Sequence, residues 1–594
     1  MSENAAPESR EERLSTLQAL AVFLERRSLV MLALGFASGL PNLLIFDTLS
    51  AWLRDAGLSL EVIGVFSLAT LAYSVKFLWA PLVDRVAIPG LTRRLGRRRS
   101  WMLVCQGLIM AGLLAISGVD PAQSLWAMAS LAVLVGFVSA TQDIVIDAWR
   151  IEAAGPERAG ALAAAYQWGY RIAIILAGIL PLVLSDSLGW GGSYALMAAL
   201  MLCGVAGVLA APRDAAREVA AGEVAAGEGA AGEGAEAPAT ERAGETLPRP
   251  GRDALEWMGR GALLALAVIL LGSGLSGDPI LITAPLSFTG LEGAASAVSG
   301  LWEAKPAGAI AQVVVALGGL ALLAGSVIPL PGRPSRPGRI LFRALGEPLA
   351  DFMRRHRGTA ALILALICVY RLPDFVLNIM NPFYLDLGFS KLEIAEVRKV
   401  LGVVMSLAGV ALGGLAVARL GLIRSLVIGA FAGPISNLAF AWLTLQGAQV
   451  WALAAAISLD NLASGFAGTC LIAYMSSLTS RGFTASQYAL FSSLYALLGK
   501  LVASQSGRFV EAAARMSDAG GPTATLGALL GPIPAGGLAE AALKSGVSAT
   551  GLGAGYIAFF LYSAVLGGLG VALALAVAAR EGPAGRPGHR ADPD

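Results

Sequence analysis

Runs of about 20 apolar residues recur along almost the whole chain, and they constrain its fold more than any other feature. A run of this length crosses the roughly 30 Å hydrocarbon core of a bilayer as one helix. Because 56% of the 594 residues are hydrophobic and only 14% are charged, most of the chain belongs in lipid. The alternating pattern of a membrane β-barrel is missing from the sequence. The sequence therefore predicts an all-α polytopic membrane protein.

The apolar runs fall into two sets of six. The first set predicts spans 1 to 6 at about 29–50, 60–82, 101–118, 125–148, 160–185 and 192–211. The second set predicts spans 7 to 12 at about 358–382, 394–417, 423–446, 450–478, 485–510 and 553–579. The first run continues too long for a signal-peptide core and lacks an A-x-A site, so we expect it to remain in the mature protein.

Three different segments separate the two sets. Residues 213–252 are rich in Ala, Gly and Glu and predict a flexible linker, since they hold too few large apolar residues to form a core. Residues 253–335 contain two further apolar runs, about 260–275 and 308–330, which predict an extra transmembrane hairpin. Residues 336–357 alternate leucine and phenylalanine with arginine, as an amphipathic helix on an anionic surface does.

The distribution of arginine predicts the orientation. The loop between spans 2 and 3 carries six arginines, whereas the loops after spans 3 and 5 carry no lysine or arginine. By the positive-inside rule the N-terminus (1–28), the linker, the amphipathic segment and the tail (581–594) are cytoplasmic. Two six-helix halves, 29–212 and 358–580, joined through the cytoplasm are typical of the major facilitator fold, in which the substrate site lies between the halves.

Several motifs carry a family resemblance. They are "LGFASGLP" (34–41), "KFLWAPLVDR" (76–85), "GRRRSW" (96–101), "TQDIVIDAW" (141–149), "YRLPDF" (370–375) and "LDNLASGFAGT" (459–469). The chain resembles the AmpG-type muropeptide permeases of the major facilitator superfamily. This resemblance implies proton-driven import of N-acetylglucosamine-anhydromuramyl peptides across the bacterial inner membrane, within peptidoglycan recycling and β-lactamase induction.

The sequence departs from the expected pattern in three places. Ala80 stands four residues before Asp84, where the general facilitator loop motif begins with glycine. The two extra spans stand centrally, whereas members of this family carry them after span 12. Residues 513–552 predict an unusually long periplasmic loop between the last two spans.

Two carboxylates in span 4 are the first candidates for chemistry. Asp143 and Asp147 lie four residues apart on one helix face, where an ionised carboxylate costs roughly 2.5–3.5 kcal/mol. We expect both to be proton-coupling residues, with the amide of Gln142 beside them. The alternative is that Asp147 pairs with Arg150 and only stabilises the helix.

Span 5 places a fixed cation among aromatic and amide side chains. Tyr166, Gln167, Tyr170 and Arg171 are predicted to bind substrate, with the tyrosines stacking on sugar rings and the guanidinium binding peptide carboxylates. A structural ion pair of Arg171, with Asp143 as one partner, is the alternative.

The second half supplies a matching polar set. Arg371, Asp374, Asn378 and Asn381 recur at three- and four-residue steps and predict a polar stripe along span 7. An internal salt bridge between Arg371 and Asp374 is the alternative reading. Further members in spans 10 and 11 are Asp460, Asn461, Gln487 and Lys500, the last of which alternatively snorkels to an interface.

These residues give the following predicted roles. The substrate-binding residues are Gln142, Tyr166, Gln167, Tyr170, Arg171, Arg371, Asn378, Asn461 and Gln487. The proton-coupling residues are Asp143, Asp147, Asp374 and Asp460. The gating residues, by analogy with facilitators generally, are Asp84, Arg85, Arg97, Arg98 and Arg99. Lys76 is expected to reach toward this gate or to snorkel.

The composition excludes several other classes. The two histidines, His356 and His589, lie outside the spans, so a histidine metal site and an intramembrane histidine relay are excluded. We expect no cofactor and no metal, and the four cysteines predict packing roles. A net charge of +2 without a basic groove predicts no nucleic-acid partner.

The expected partners are a small-molecule glycopeptide, protons and membrane lipid, and the expected state is a monomer. An enzyme is disfavoured because no catalytic histidine lies in a span. A transporter of another glycopeptide, or of an acyl-coenzyme A ester, is the alternative function.

Overall fold

A computed structural model describes residues 24–45, 47–57, 71–154, 158–212, 250–276, 279–304, 307–328, 335–503, 505–531 and 537–581. Nearly all of the predicted linker and most of both predicted tails lie outside these residues. The described residues form helices and turns without a β-strand, which confirms the all-α polytopic fold class. Eleven of the described helices are long and apolar enough to cross a membrane, and the longest, Ala159–Ala210, contains both span 5 and span 6.

The first half packs as one bundle. Span 1 comprises Arg26–Leu44 and Asp47–Asp55, and the described part of span 2 comprises Leu71–Val75, a 3₁₀ turn and Ala80–Arg85. Span 3 is Arg97–Ser117 and span 4 is Leu125–Ala153. Spans 5 and 6 together occupy Ala159–Leu200 and Leu202–Ala210. The boundary between the two spans is Gly189, inside the first of these ranges, because its φ of 68° and ψ of 167° are incompatible with a helix and suit glycine.

The central hairpin consists of Pro250–Ser276 and Ala307–Val327, joined by Ile280–Phe288 and Glu292–Glu303. Small residues let its two long helices approach closely: a Cβ on Gly274 would lie 2.7 Å from Gln312 O, and one on Gly319 would lie 2.9 Å from Ala267 O. Leu271 and Ala316 of the hairpin pack with Val75 of span 2 and Leu497 of span 11. The hairpin therefore covers the outside of the seam between the halves.

The amphipathic segment is helical. Arg336–Leu341, a π-helical turn at Phe342–Gly346 and Glu347–Arg355 follow one another and connect the hairpin to span 7. We call residues 335–357 the strap.

The second half repeats the bundle. Span 7 is broken into Ala360–Tyr370, Leu372–Val376, a 3₁₀ turn and Met380–Leu387, and Pro373 contributes because it has no N–H to continue the helix. Span 8 comprises Lys391–Glu396, the π-helical turn Val397–Gly402 and Val403–Leu420. The later spans are Leu422–Gln446 (9), Val450–Ser477 (10), Thr484–Ala503 (11) and Ala549–Glu581 (12).

The segment between spans 11 and 12 is more ordered than the predicted long loop. It contains the helices Ser506–Asp518, Ala524–Gly527 and Leu538–Ser545. Leu538 and Ala542 are buried in the core of the second half, and the Asp518 carboxylate accepts hydrogen bonds from the backbone and side chain of Ser548. Short helices form in this predicted loop because its alanine and leucine positions pack on spans 7 and 12.

Candidate functional site

The carboxylate of Asp143 lies in a row of hydroxyl groups inside the first half. Ser38 of span 1 donates a 2.5 Å hydrogen bond to Asp143 Oδ1, and its Oγ lies 3.0 Å from the hydroxyl of Tyr166. One turn further along, Asn42 Nδ2 donates to the Tyr170 hydroxyl at 2.6 Å. Tyrosines four residues apart on span 5 thus face polar residues four residues apart on span 1, which is the spacing of one helix face.

Asp147 lies between two cations. Its carboxylate is 3.7 Å from Lys76 Nζ and 3.2 Å from Arg150 Nη2, and all three side chains are buried. Lys76 therefore neither reaches the gate nor snorkels, since it lies in this ion cluster. Arg150 Nη1 also donates to Ser476 Oγ of span 10 at 2.8 Å, and the guanidinium lies 5.0 Å from the ring centroid of Tyr488. Asp147 is thus tied through Arg150 to the other half.

Arg171 does not pair with Asp143. The cation that interacts with Asp143 is Lys76, whereas Arg171 interacts with Arg371, Asp374 and Asp460 of the second half. The reason is helical geometry: Arg171 follows Tyr170 directly and so points about 100° away from the face that meets span 1. Its Nε is buried and has no hydrogen-bond partner among the described residues.

The second-half cluster surrounds Arg371. Its Nε lies 2.6 Å from Asp374 Oδ2, and its other nitrogens donate to the carbonyl and the hydroxyl of Ser464 at 3.1 Å. The salt bridge that the sequence left open is therefore present. Ser436 Oγ donates to Asp460 Oδ1 at 3.4 Å, while Asn461 donates to the Ile457 carbonyl of its own helix. All of these side chains except Ser436 are half-buried, so they face an accessible space.

Two inter-half contacts lie beside this cluster. Gln167 Nε2 of span 5 donates to Thr469 Oγ1 of span 10 at 3.3 Å. A Cβ on the neighbouring Gly468 would lie 2.5 Å from Arg371 Nη1 and 3.1 Å from Gln167 Nε2. A glycine at 468 therefore lets the guanidinium of one half and the amide of the other meet at the seam.

Gln142 and Gln487 do not belong to the second-half cluster around Arg371. Gln142 is fully buried within the first half, where its Nε2 donates to the Ala37 carbonyl. Gln487 binds the strap: its Nε2 donates to Pro348 O at 2.8 Å and to Asp351 Oδ2 at 2.9 Å. Asn378 lies in the 3₁₀ turn of span 7, and its side chain is outside the described part of the structure.

The halves are held together on the side that carries the arginine-rich loop between spans 2 and 3, called here the arginine-rich side. Asp84 accepts hydrogen bonds from Ala485 N (3.3 Å), Ser486 N (2.9 Å) and Ser486 Oγ (2.6 Å). These donors belong to the first turn of span 11, where the helix dipole favours a carboxylate. Asp84 therefore closes this side.

The neighbouring arginines position Asp84 and its helix. Arg98 bridges Asp84 (2.8 Å) and Glu152 (2.6 Å). Arg99 donates to the Val208 and Leu209 carbonyls at the end of span 6. Arg85 contacts the strap, donating to Arg343 O at 2.5 Å and lying 3.9 Å from Glu347. Arg97 is exposed on this side.

Four residues at the site were not predicted as site residues. Ser38 and Asn42 were missed although two polar residues four apart in an otherwise apolar run were a visible signal. Tyr73, which donates to Ser139 at 2.7 Å, was hidden in a span with few polar residues. Arg398 hydrogen-bonds Asn381 and lies 5.9 Å from the Tyr384 ring centroid, a contact that depends on the π-helical turn of span 8.

The chain is similar to several known proteins. A family model described as acetyl-coenzyme A transporter 1 matches residues 28–188. The anhydromuropeptide permease of Escherichia coli strain K12 is 30% identical over 498 residues, which cover 83% of this chain and 76% of that protein. A Rickettsia conorii protein named as transporter AmpG 4 is 26% identical over 493 residues, which cover 82% of this chain and 91% of that protein. Among solved structures, the major facilitator proton:xylose symporter XylE has a TM-score of 0.46 at 12% identity. The match covers 93% of this chain and 95% of that structure.

Proposed function

Because this chain belongs to the AmpG family of anhydromuropeptide permeases, we propose that it imports anhydromuropeptides across the bacterial inner membrane, driven by protons, for peptidoglycan recycling. The observation that carries this proposal is the 30% identity to the Escherichia coli permease over most of both chains. The relatives reported above are named as a permease and a transporter, which supports a carrier and not an enzyme.

The chemistry of the seam supports a substrate that combines sugars with an anionic peptide. Tyr166 and Tyr170 are half-buried, and with their hydroxyls held by Ser38 and Asn42 they offer ring faces to sugar rings. Arg171 has a buried Nε without a described hydrogen-bond partner, and it lies near a second guanidinium, that of Arg371. A peptide carboxylate bound there would give Arg171 a hydrogen-bond acceptor beside the existing Arg371–Asp374 salt bridge. Gln167 and Arg371 meet beside Gly468, and Asn461 directly follows Asp460, which interacts with Arg171.

Proton coupling is assigned to a carboxylate near these groups. Asp143 is the first candidate, because the hydrogen bond described for it comes from a neutral hydroxyl, whereas Asp147 is held between Lys76 and Arg150. Asp460 and Asp374 are the next candidates. Both interact with Arg171, so an anion that binds Arg171 changes the electrostatic environment of both carboxylates. In this mechanism the binding site is exposed to one side of the membrane at a time, and the closed arginine-rich side opens after substrate and proton have bound.

The arginine-rich side is proposed to be cytoplasmic, with both termini and the linker on that side. The support is the excess of arginine in the loop between spans 2 and 3. A thiol introduced at Ala231 should resist an impermeant reagent in intact spheroplasts and react after permeabilisation. Labelling in intact spheroplasts would reverse the orientation.

The decisive experiment is uptake by a strain that lacks its own muropeptide permease. Expression of this chain should restore accumulation of labelled anhydromuropeptide, and a protonophore should abolish it. The Arg171→Gln variant, present at the same membrane level, should lose most of the uptake, whereas Arg93→Gln, an exposed loop change, should retain it. Absence of uptake with the native chain correctly inserted would contradict the proposal.

A second candidate is transport of an acyl-coenzyme A ester. The family model described as acetyl-coenzyme A transporter 1 favours it, although that match covers only residues 28–188 in the first half. Competition separates the two functions: excess acetyl-coenzyme A should leave uptake of anhydromuropeptide unchanged. If labelled acetyl-coenzyme A accumulates instead, this second function replaces the first.

A further inference from the structure

The strap has one face docked on the protein. Phe352 is fully buried, and its ring packs edge-on against Phe491 of span 11 at 5.1 Å between centroids. Arg355 of the strap donates to Leu478 O at 3.0 Å and to Gln487 Oε1 at 3.1 Å. The second half therefore holds the strap through its apolar and its polar groups.

The same strap also reaches the first half. Arg85, at the end of span 2, donates to Arg343 O and lies near Glu347. Gln487, which holds the strap, directly follows Ser486, which holds Asp84. The strap thus adds a second connection between the halves beside the Asp84 contact, and both connections require that spans 2 and 11 lie close together on this side.

Asp351 strengthens the docking at neutral pH. Burial raises the pKa of its carboxyl, but the hydrogen bond from Gln487 and the pairing with Arg355 outweigh burial and leave the pKa below its ordinary value. Asp351 is therefore ionised across the physiological range, and its contribution is lost only when the pH falls into the acidic range of its lowered pKa.

The opposite face of the strap is apolar and uncovered. Phe342, Leu349 and Met353 are 36%, 38% and 43% exposed. Leu349 and Met353 lie four residues apart on one side of the helix Glu347–Arg355, and Phe342 lies in the preceding π-helical turn. Exposed arginines flank this stripe at Arg336, Arg354 and Arg357. The strap runs from the end of the hairpin to the start of span 7, so it lies at the level where these spans leave the membrane.

We propose that the strap lies in the cytoplasmic leaflet and binds anionic phospholipid headgroups through Arg336, Arg354 and Arg357, and that this contact favours the state with the arginine-rich side closed. An exposed apolar stripe beside arginines is complementary to an acyl layer under negatively charged headgroups. The contact favours the closed side because the docked strap touches both Arg85 and Gln487. This inference does not depend on which substrate is carried.

Lipid contact is tested with a reporter in the strap. The four free cysteines are replaced, Met353→Cys is labelled with an environment-sensitive dye, and the full chain is placed in nanodiscs with increasing phosphatidylglycerol in phosphatidylcholine. The emission should shift to the blue as phosphatidylglycerol increases, and spin-labelled lipid should quench it. Arg354→Gln with Arg357→Gln should weaken the apparent affinity about fivefold for each charge removed. The matched pair Arg93→Gln with Arg94→Gln, exposed in the loop between spans 2 and 3, should leave the response unchanged.

The conformational effect is tested by a distance across the halves. Spin labels at Leu95, between spans 2 and 3, and at Arg424, in the first turn of span 9, should show a larger population of the short distance in phosphatidylglycerol than in phosphatidylcholine. The Arg354→Gln, Arg357→Gln variant should lose this difference. A dye response that is equal in both lipids, or one that appears only on addition of an acidic protein, overturns the lipid contact. An unchanged distance distribution overturns the link to the closed side.

Discussion

At the scale of single residues, most charges inside the spans are paired and a few are not. Asp147 has Lys76 and Arg150, and Arg371 has Asp374. Asp143 has a hydrogen bond from a serine, and Arg171 keeps a buried Nε without a described hydrogen-bond partner. Opposite charges lie near both residues, but neither forms a direct salt bridge among the described residues. Because a charge without a close partner is costly in a low-dielectric site, Asp143 and Arg171 are the residues whose state should respond most to a proton or an anion.

Changing Asp143 to Asn should uncouple transport from the proton gradient. Asparagine keeps the size of the side chain and can still accept the hydrogen bond from Ser38, but it cannot exchange a proton. Accumulation of substrate driven by a pH gradient should be abolished in proteoliposomes. Counterflow exchange of substrate should stay within about twofold of the native rate, since the groups proposed to bind substrate are unchanged.

A matched control lies at the other end of the protein. Asp386 in span 7 accepts a hydrogen bond from Tyr556 within its own half, so Asp386→Asn should leave coupling intact. If Asp143→Asn still accumulates substrate and a protonophore still collapses the accumulation, the coupling carboxylate is another one. Asp460→Asn is then the next variant to measure.

Changing Asp84 to Asn should weaken the closure of the arginine-rich side. The carboxylate accepts three hydrogen bonds from the first turn of span 11, and a charged acceptor contributes about 1.5–3 kcal/mol per bond. The population of the short distance between labels at Leu95 and Arg424 should fall about tenfold or more. Asp120→Asn changes only the acceptor of a hydrogen bond from Ala122 N in the loop between spans 3 and 4, so it should not alter this population. An unchanged distribution in Asp84→Asn would mean that other contacts suffice for closure.

Individual residues were predictable from the sequence only where a charged side chain stands within an apolar run, since its cost in lipid does not depend on how the spans pack. Asp143, Asp147 and Arg171 are recognisable because each interrupts an apolar run. Their partners were not predictable, because the partner of Arg171 depends on how span 5 is rotated against the second half. The same limit explains Lys76, whose ion cluster forms only when spans 2 and 4 are packed.

At the scale of elements, the closest crossing joins spans 1 and 5. A Cβ on Gly35 would lie 2.2 Å from Tyr166 O, and one on Gly169 would lie 1.9 Å from Leu32 O. Small residues on both helices thus bring the backbones together, which is how membrane helices associate without a hydrophobic driving force. This contact also sets the distance at which Tyr166 and Tyr170 reach Ser38 and Asn42.

Gly169→Ala should therefore destabilise the first half. The added methyl collides with backbone atoms that cannot move aside, so overpacking should cost about 1–3 kcal/mol. The apparent melting temperature of the purified protein in detergent should fall by several degrees. Gly107→Ala in span 3 has open space around its Cβ and should leave the melting temperature unchanged or slightly higher. Equal melting temperatures for the two variants would contradict the crossing.

The existence of the spans was predictable, but their irregular parts were not. Helices such as Val450–Ser477 begin and end close to their predicted positions, because a long apolar run has few alternatives in lipid. Pro373 marks the break in span 7 locally, but the apolar pattern does not show the π-helical turn in span 8 or the helices between spans 11 and 12. A sequence that is mainly Ala, Gly and Pro, as at 519–537, gives no clear periodicity from which to predict helices.

At the scale of the whole molecule, the two halves meet along spans 2 and 11 and along spans 5 and 8. Lys500 of span 11 donates to Ser74 of span 2 at 2.8 Å, and Trp168 of span 5 donates to the Leu407 carbonyl of span 8 at 2.9 Å. Lys500 therefore spans the seam where snorkelling was the alternative. The hairpin lies outside the first of these seams and contributes none of the candidate substrate or proton groups.

Replacing residues 213–334 by a flexible linker of about 20 residues should thus preserve transport. The apolar hairpin contacts that are lost, Leu271 and Ala316 against Val75 and Leu497, can be replaced by equally apolar lipid tails. Two hydrogen bonds are also lost, from Gln505 to Gln312 and from Ser335 to Glu256, and at about 1 kcal/mol each they should weaken packing without removing a transport group. The strap stays in the shortened chain and keeps its contacts to Arg85 and Gln487. The uptake rate at saturating substrate should remain within about twofold of the native rate, with replacement of 213–249 alone as the matched control. Loss of uptake in the long deletion, at a normal membrane level and with the control active, would mean that the hairpin takes part in the movement of spans 2 and 11.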